Sequence, residues 1–162
     1  MRLVIADTSP VNYLILIGYI DLLPRLFERM VLPAAVQTEL SSTFAPPPVQ
    51  QWIATPPAWL EIVKTPEVAL ATGIHKGEAA AIALAAILHA DLLLIDDRKG
   101  MRAARQQGLR VTGTLGLLDL AAERGLIDFA QAIMDLEQTT FRRPEVLLET
   151  LLKKHKGARP RE

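Results

Sequence analysis

The chain has 162 residues, half of them hydrophobic, and no cysteine; its mean hydropathy is +0.22. That length and composition suit one buried core and exclude a disordered, purely solvating protein, a disulfide framework and thiolate metal sites. Lys plus Arg (18) equals Asp plus Glu (18). The chain therefore lacks the basic excess that a broad nucleic-acid binder exchanges for counterions, although a small site whose positive charge comes from metal ions would not need one.

Leu3-Val4-Ile5-Ala6 is a short apolar run of the kind that fills a central parallel strand. Asp7-Thr8-Ser9-Pro10 reads as a strand-to-helix junction, with Ser9 as N-cap and Pro10 at the first helical position. The helix carries Val11, Leu14, Ile15 and Ile17 and stops at Gly18. A second helix is expected from Ile20 to about Arg29, then a strand at Met30-Val31-Leu32 and a helix opened by Pro33 that contains Val36, Glu39 and Leu40. Pro46-Pro47-Pro48 breaks regularity before a short helix at Val49–Ala54. Pro56-Pro57 leads to a strand within Trp59–Lys64.

Gly77-Glu78 opens the most helical stretch, Ala79–Ala90, apolar nearly all round and hence buried. Leu92–Ile95 is a strand ending in Asp96-Asp97, Arg98–Gln107 a helix closed by Gly108, and Arg110-Val111-Thr112 a last strand. Helices at Leu115–Arg124, Asp128–Gln138 and Pro144–Lys154 follow, and residues 156–162 read as a frayed tail. No repeat or linker interrupts residues 1–155, which read as one domain. Strands separated by helices predict a parallel sheet covered on both faces. The longest apolar stretch, Ala79–Ile95, is broken by His89 and Asp91 and is too short to span a membrane. Met1-Arg2 runs straight into a strand rather than a secretory leader, so a cytoplasmic location is expected.

Ligand sites of parallel sheets lie beyond the carboxyl ends of the strands. Asp7 and Asp96-Asp97 stand at such ends, and Glu39 and Glu78 sit on helices. Carboxylates held together repel and are pushed toward their protonated forms. A hard cation such as Mg²⁺ or Mn²⁺ removes that penalty, activates water and stabilises the leaving oxygen of a phosphoryl displacement. In this reading Thr8 and Ser9 place hydroxyls beside the metal waters, and Lys76, Arg98, Lys99 and Arg102 line the rim, suited to phosphates.

Each residue also has a plainer reading. Asp7 caps a helix; Glu39 faces solvent; Glu78 complements a helix dipole, worth about 0.3–1 kcal/mol; one acid of Asp96-Asp97 caps the next helix. The order of the acids across strand ends is the stronger signal. His75, His89 and His155 lack the spacing of a zinc motif; His89 reads as a helix-boundary residue and His155 as part of the basic tail.

Four segments resemble the motifs of PIN domains. Ile5-Ala6-Asp7-Thr8-Ser9-Pro10 is similar to the first, Pro33-Ala34-Ala35-Val36-Gln37-Thr38-Glu39-Leu40 to the second, Gly77-Glu78 with its Ala-rich helix to the third, and Leu93-Leu94-Ile95-Asp96-Asp97-Arg98 to the fourth. Gly108 through Gly113-Thr114-Leu115-Gly116 matches a glycine pattern of one PIN-like subfamily related to VapC-type toxins. The resemblance covers residues 3 to 125. It implies a three-layer α/β/α sandwich around a parallel sheet and a Mg²⁺- or Mn²⁺-dependent endoribonuclease. It also implies a homodimer and a small antitoxin partner that blocks the site.

By position, the resemblance puts Asp7, Glu39 and Glu78 in the first three acidic places and Asp97 in the fourth, with Asp96 as a second candidate. This chain departs from the pattern twice. Ile95 stands where many members have Thr, and Glu78 replaces the more usual Asp. Two other readings compete. A PIN-like module that binds RNA or protein without cutting accommodates both departures. A haloacid-dehalogenase-type phosphatase would use Asp7 as nucleophile, but it expects a second Asp where Ser9 stands and leaves Glu39 and Glu78 unexplained.

Overall fold

The computed structural model describes residues 2–66 and 73–157. Five parallel strands form one sheet: β1 (Leu3–Ala6), β2 (Arg29–Pro33), β3 (Leu60–Val63), β4 (Leu92–Leu94) and β5 (Val111–Thr112), in the order β3-β2-β1-β4-β5. The described helices are α1 (Thr8–Ile17), α2 (Leu22–Leu26), α3 (Ala34–Leu40), α4 (Pro47–Ala54), α5 (Lys76–Ile87), α6 (Arg98–Gln106), α7 (Thr114–Glu123), α8 (Phe129–Glu137) and α9 (Glu145–Lys154).

The two central neighbours β1 and β4 are wholly apolar because both faces of the sheet are covered, whereas β2 opens on exposed Arg29 and the edge strand β3 carries exposed Glu61. Val4, Ala6, Met30, Leu32, Leu92 and Leu94 pack into one core with residues of α1, α3, α4, α7, α8 and α9. Ile5, Val31, Leu93 and Ile95 point the other way and meet Ala81, Ile82, Leu84 and Ala85 of α5 and Ala104 of α6. The result is the expected three-layer α/β/α sandwich. Leu94 is wholly buried beneath the larger helical layer, so Leu94→Ala should lower unfolding free energy by about 2–5 kcal/mol, as read from urea denaturation.

Several local expectations need correction. Asp7, not Ser9, is the N-cap residue of α1: it stays extended at φ −84°, ψ 172° and makes no capping side-chain bond. The cause is the sheet, since Asp7 N–H still bonds Leu94 O (2.9 Å) and prolongs the ladder by one residue. Pro10 is then the third helical residue, where its absent N–H still costs no intrahelical bond. The helix expected over Ile20–Arg29 is one short segment, because the chain turns extended at Phe27 and enters β2 at Arg29. α5 begins earlier than its apolar pattern, at Lys76, and ends at Ile87 rather than Ala90. His89 occupies the left-handed region (φ 51°) there, and Ala90 N–H returns to Ala85 O.

His155 is no tail residue. It follows the last turn of α9, its side chain is nearly buried, its Nε2 lies 2.7 Å from Asp119 Oδ1, and its ring leans on Phe129. Lys154 also pairs with Asp119 and with Glu123 of α7. Of the tail expected at 156–162, Lys156 and Gly157 form a turn and the rest lies outside the described residues. No described helix is long and apolar enough to cross a membrane.

Candidate active site

The strand order runs one way from β1 to β2 and β3 and the other way to β4 and β5, so connections diverge between β1 and β4. Such a switch point opens a crevice at the carboxyl ends of the two strands. Asp7 follows β1 and Asp96-Asp97 follow β4, so the crevice is acidic by construction.

Asp7 is only 3% exposed, and its Oδ1 has no hydrogen-bond partner among the described residues. Burial is the main reason that its pKa rises to about 7. The Thr8 backbone N–H opposes the rise, and the charges of Glu78, Glu39 and Asp96 add to it. Glu78, in the first turn of α5, is 7% exposed, and its Oε2 is likewise buried without a partner. Its pKa is raised by burial, then by the charge of Asp97; His75, at the head of α5, pulls it back.

Glu39 is half-buried rather than solvent-facing. The Thr8 hydroxyl donates to its Oε2, and Gly77 N–H donates to its Oε1 at 3.0 Å. A Cβ on Gly77 would stand 2.5–2.7 Å from all three atoms of the Glu39 carboxyl group. The glycine expected only as a helix opener thus makes room for an acid from a different layer of the chain.

Asp96 accepts both from the Thr114 backbone N–H and from the Thr114 hydroxyl, each at 2.7 Å. Burial raises its pKa, against the bonds from Thr114 and from the Ser9 hydroxyl. Asp97 is exposed and caps α6, accepting from Gly100 N–H at 2.9 Å. α6 nevertheless touches the site, since a Cβ on Gly100 would lie 3.3 Å from Glu78 Oε2.

The Thr8 hydroxyl donates to Glu39, and the Ser9 hydroxyl helps to hold down the pKa of Asp96, so both hydroxyls expected beside the metal waters lie next to acids of the site. Lys76 opens α5, and Arg98, Lys99 and Arg102 lie on α6; all four are exposed, and none forms an ion pair among the described residues. The partner that sequence reasoning missed is Thr114, fully buried at the start of α7. Its only signal was the Gly113-Thr114-Leu115-Gly116 pattern.

The acids are neighbours electrostatically, yet no three His, Asp or Glu side chains among the described residues stand close enough to grip one ion as placed. The donor set, with two buried unpartnered oxygens on separate carboxylates and no nitrogen or sulfur ligand between them, fits a hard divalent cation. Mg²⁺ in particular is held by one or two carboxylates and keeps several waters.

A three-layer α/β/α sandwich whose sheet has its switch point lined by buried carboxylates defines a protein with an acidic centre at the carboxyl ends of β1 and β4. The chain belongs to the PIN domain family: residues 3–157 match the family model DUF3368, described as PIN domain. Members of that family are generally nucleases that use divalent metal ions. Among solved structures the chain is similar to a PilT N-terminus domain protein from the hyperthermophilic archaeon Sulfolobus solfataricus. The TM-score is 0.51 at 15% identity, over 72% of this chain and 90% of that one. This likeness concerns the fold alone. No curated protein matches the sequence.

Proposed function

We propose that the protein is a Mg²⁺- or Mn²⁺-dependent endoribonuclease whose centre comprises Asp7, Glu39, Glu78 and one acid of the Asp96-Asp97 pair. The observation that carries this reading is the pair of buried, unpartnered oxygens, Asp7 Oδ1 and Glu78 Oε2. A buried charged oxygen without a partner costs several kcal/mol of order, and a cation between the acids would offset that cost. When bound, such an ion supplies positive charge for a phosphoryl oxygen and lowers the pKa of water.

The chain's own groups do the rest. Asp7 and Glu78 would hold the ion, while Thr8 and Gly77 fix the Glu39 carboxylate in one orientation. A phosphodiester would approach from the carboxyl ends of β1 and β4, where ligands of parallel sheets bind. Arg98 and Lys99 occupy the first turn of α6, directly after its N-cap Asp97, at a helix end where the dipole disfavours cations, and neither forms an ion pair among the described residues. That placement suits residues that meet RNA phosphates, together with Arg102 and Lys76.

The toxin role, a small antitoxin and a homodimer are proposals that rest on the family resemblance. The second reading, a module that binds without cutting, is favoured by the spacing of the acids, which do not close on one ion by themselves.

Labelled single-stranded RNA should be cut by the protein with Mn²⁺ or Mg²⁺, and not with EDTA or by Asp7→Asn. Binding without cleavage would support the module. A covalent phosphate on Asp7 from a small phosphoester would support the phosphatase chemistry.

A further inference from the structure

We propose that the Gly113-Thr114 turn is a carboxylate clamp that makes Asp96, rather than Asp97, the fourth acid of the centre, with Thr114 and Ser9 as its positioning residues. The inference rests on the metal-centre reading above and decides which acid completes it.

Three observations converge on Asp96. First, Thr114 holds both of its carboxylate oxygens: the backbone N–H bonds Oδ1 and the hydroxyl bonds Oδ2, at 2.7 Å each. Two bonds from one residue leave the short Asp side chain no rotational freedom, and Thr114 itself is wholly buried. Second, Gly113 is shaped around the same group. A Cβ there would come within 2.6 Å of Asp96 Oδ1, a distance real Cβ atoms do not show. The backbone at Gly113 is extended (φ −101°, ψ −171°), which any residue can adopt, so only the carboxylate explains the glycine. Third, Asp96 lies near Asp7, since its charge helps to hold the Asp7 proton and the Ser9 hydroxyl of α1 favours its ionised form.

Asp97 has a different task. Its side chain receives Gly100 N–H and closes the first turn of α6, as an Asp at an N-cap does. It is exposed, and its charge bears on Glu78 from the side of that helix. The family resemblance pointed to Asp97; the bonding pattern points to its neighbour. The clamp also compensates for Ile95, which lacks the hydroxyl many relatives carry at that place. Here the hydroxyl comes from Thr114, the first residue of α7, instead.

Clamping has a second effect that must be separated from the first. Asp96 supplies a side-chain acceptor to the N-terminus of α7, whose own N-cap is a glycine without one. A purely structural Asp96 would therefore also lower stability when changed. Binding of Mn²⁺ alone, measured by isothermal titration at a temperature well below each variant's melting point, distinguishes the two roles.

Asp96→Asn and Thr114→Val should each weaken Mn²⁺ binding about ten- to a hundredfold, and Thr114→Ser should restore most of it. Gly113→Ala, which removes no polar group, should act like Thr114→Val by pushing the carboxylate aside. Asp97→Asn should weaken binding at least tenfold less than Asp96→Asn.

Wild-type affinity in folded Thr114→Val and Gly113→Ala would overturn the clamp. A larger loss in Asp97→Asn than in Asp96→Asn would return the fourth place to Asp97. If Thr114→Val does not fold, Ser9→Ala and Gly113→Ala carry the same comparison. Failure of the broader reading looks different: the unaltered protein would take up no Mn²⁺ and cut no RNA, and the clamp would fall with it.

Discussion

Asp7→Asn should abolish metal-dependent cleavage and at the same time make the metal-free protein more stable at alkaline pH. The two effects share one cause. Asp7 is buried, lacks a partner at Oδ1, and has a pKa of about 7 instead of 3.8. In the unfolded chain it ionises near 4, while in the folded chain it keeps its proton until about pH 7. Between those values the folded state binds the extra proton, so stability falls as pH rises.

Below pH 4 the contribution is fully present; by pH 8 it is lost. A shift of this size corresponds to about 4 kcal/mol. Asn carries no charge to bury, though its amide meets the same shortage of partners, which returns about 1–3 kcal/mol of the gain. The net expectation is a melting temperature roughly 2–8 °C above wild type at pH 8 without divalent ion, and no gain at pH 4. Cleavage of RNA should fall about a thousandfold or more. Calorimetric melts at the two pH values check the first part, and an equal melting difference at pH 4 and pH 8 would refute the ionisation account. Added Mn²⁺ should reverse the order of the two proteins by stabilising only the one that binds it.

Gly77→Ala is the second large effect, and it too opposes stability to function. Within a helix, Ala is favoured over Gly by about 1 kcal/mol. At this position, however, the new Cβ would occupy the place of the Glu39 carboxyl group, 2.5–2.7 Å from each of its atoms. Glu39 must swing away and lose the Gly77 N–H bond, and with it the orientation held from the Thr8 side. We expect cleavage to fall about 10- to 100-fold while the melting temperature changes by no more than a few degrees. Retained activity would mean that Glu39 is not needed in its observed place. Gly77→Ala combined with Glu39→Gln should be no worse than Glu39→Gln alone, because both act on one group.

The layers of the fold were legible because the central strands are uninterrupted apolar runs and helical segments separate them. Val4, Ile5, Leu93 and Leu94 carry that information locally. Boundaries were less legible where tertiary bonds extend or cut an element. Asp7 N–H pairing with Leu94 O moves the start of α1, and the entry into β2 at Arg29 shortens the helix before it.

The acids themselves could be named from their places at strand and helix ends, but their partners could not. Glu39 is held by Thr8 and Gly77, which are 31 and 38 residues away, and Asp96 by Thr114, 18 residues on. No periodicity encodes such pairs. His155 was misread for the same reason: its neighbours Asp119 and Phe129 come from α7 and the head of α8, not from the tail around it.

The strand order has a further consequence during synthesis. β1 is made first, but one of its two neighbours, β4, starts at Leu92. Asp91, which receives the Arg2 and Leu3 N–H groups, is separated from Leu3 by 88 residues. The crevice therefore has no second wall until more than half the chain has been made, and Asp96 has no clamp until Thr114 has followed. An emerging chain passes through most of its translation with its acids scattered along an open polymer. The acids of the centre thus cannot be brought together until β4 and the start of α7 have been made.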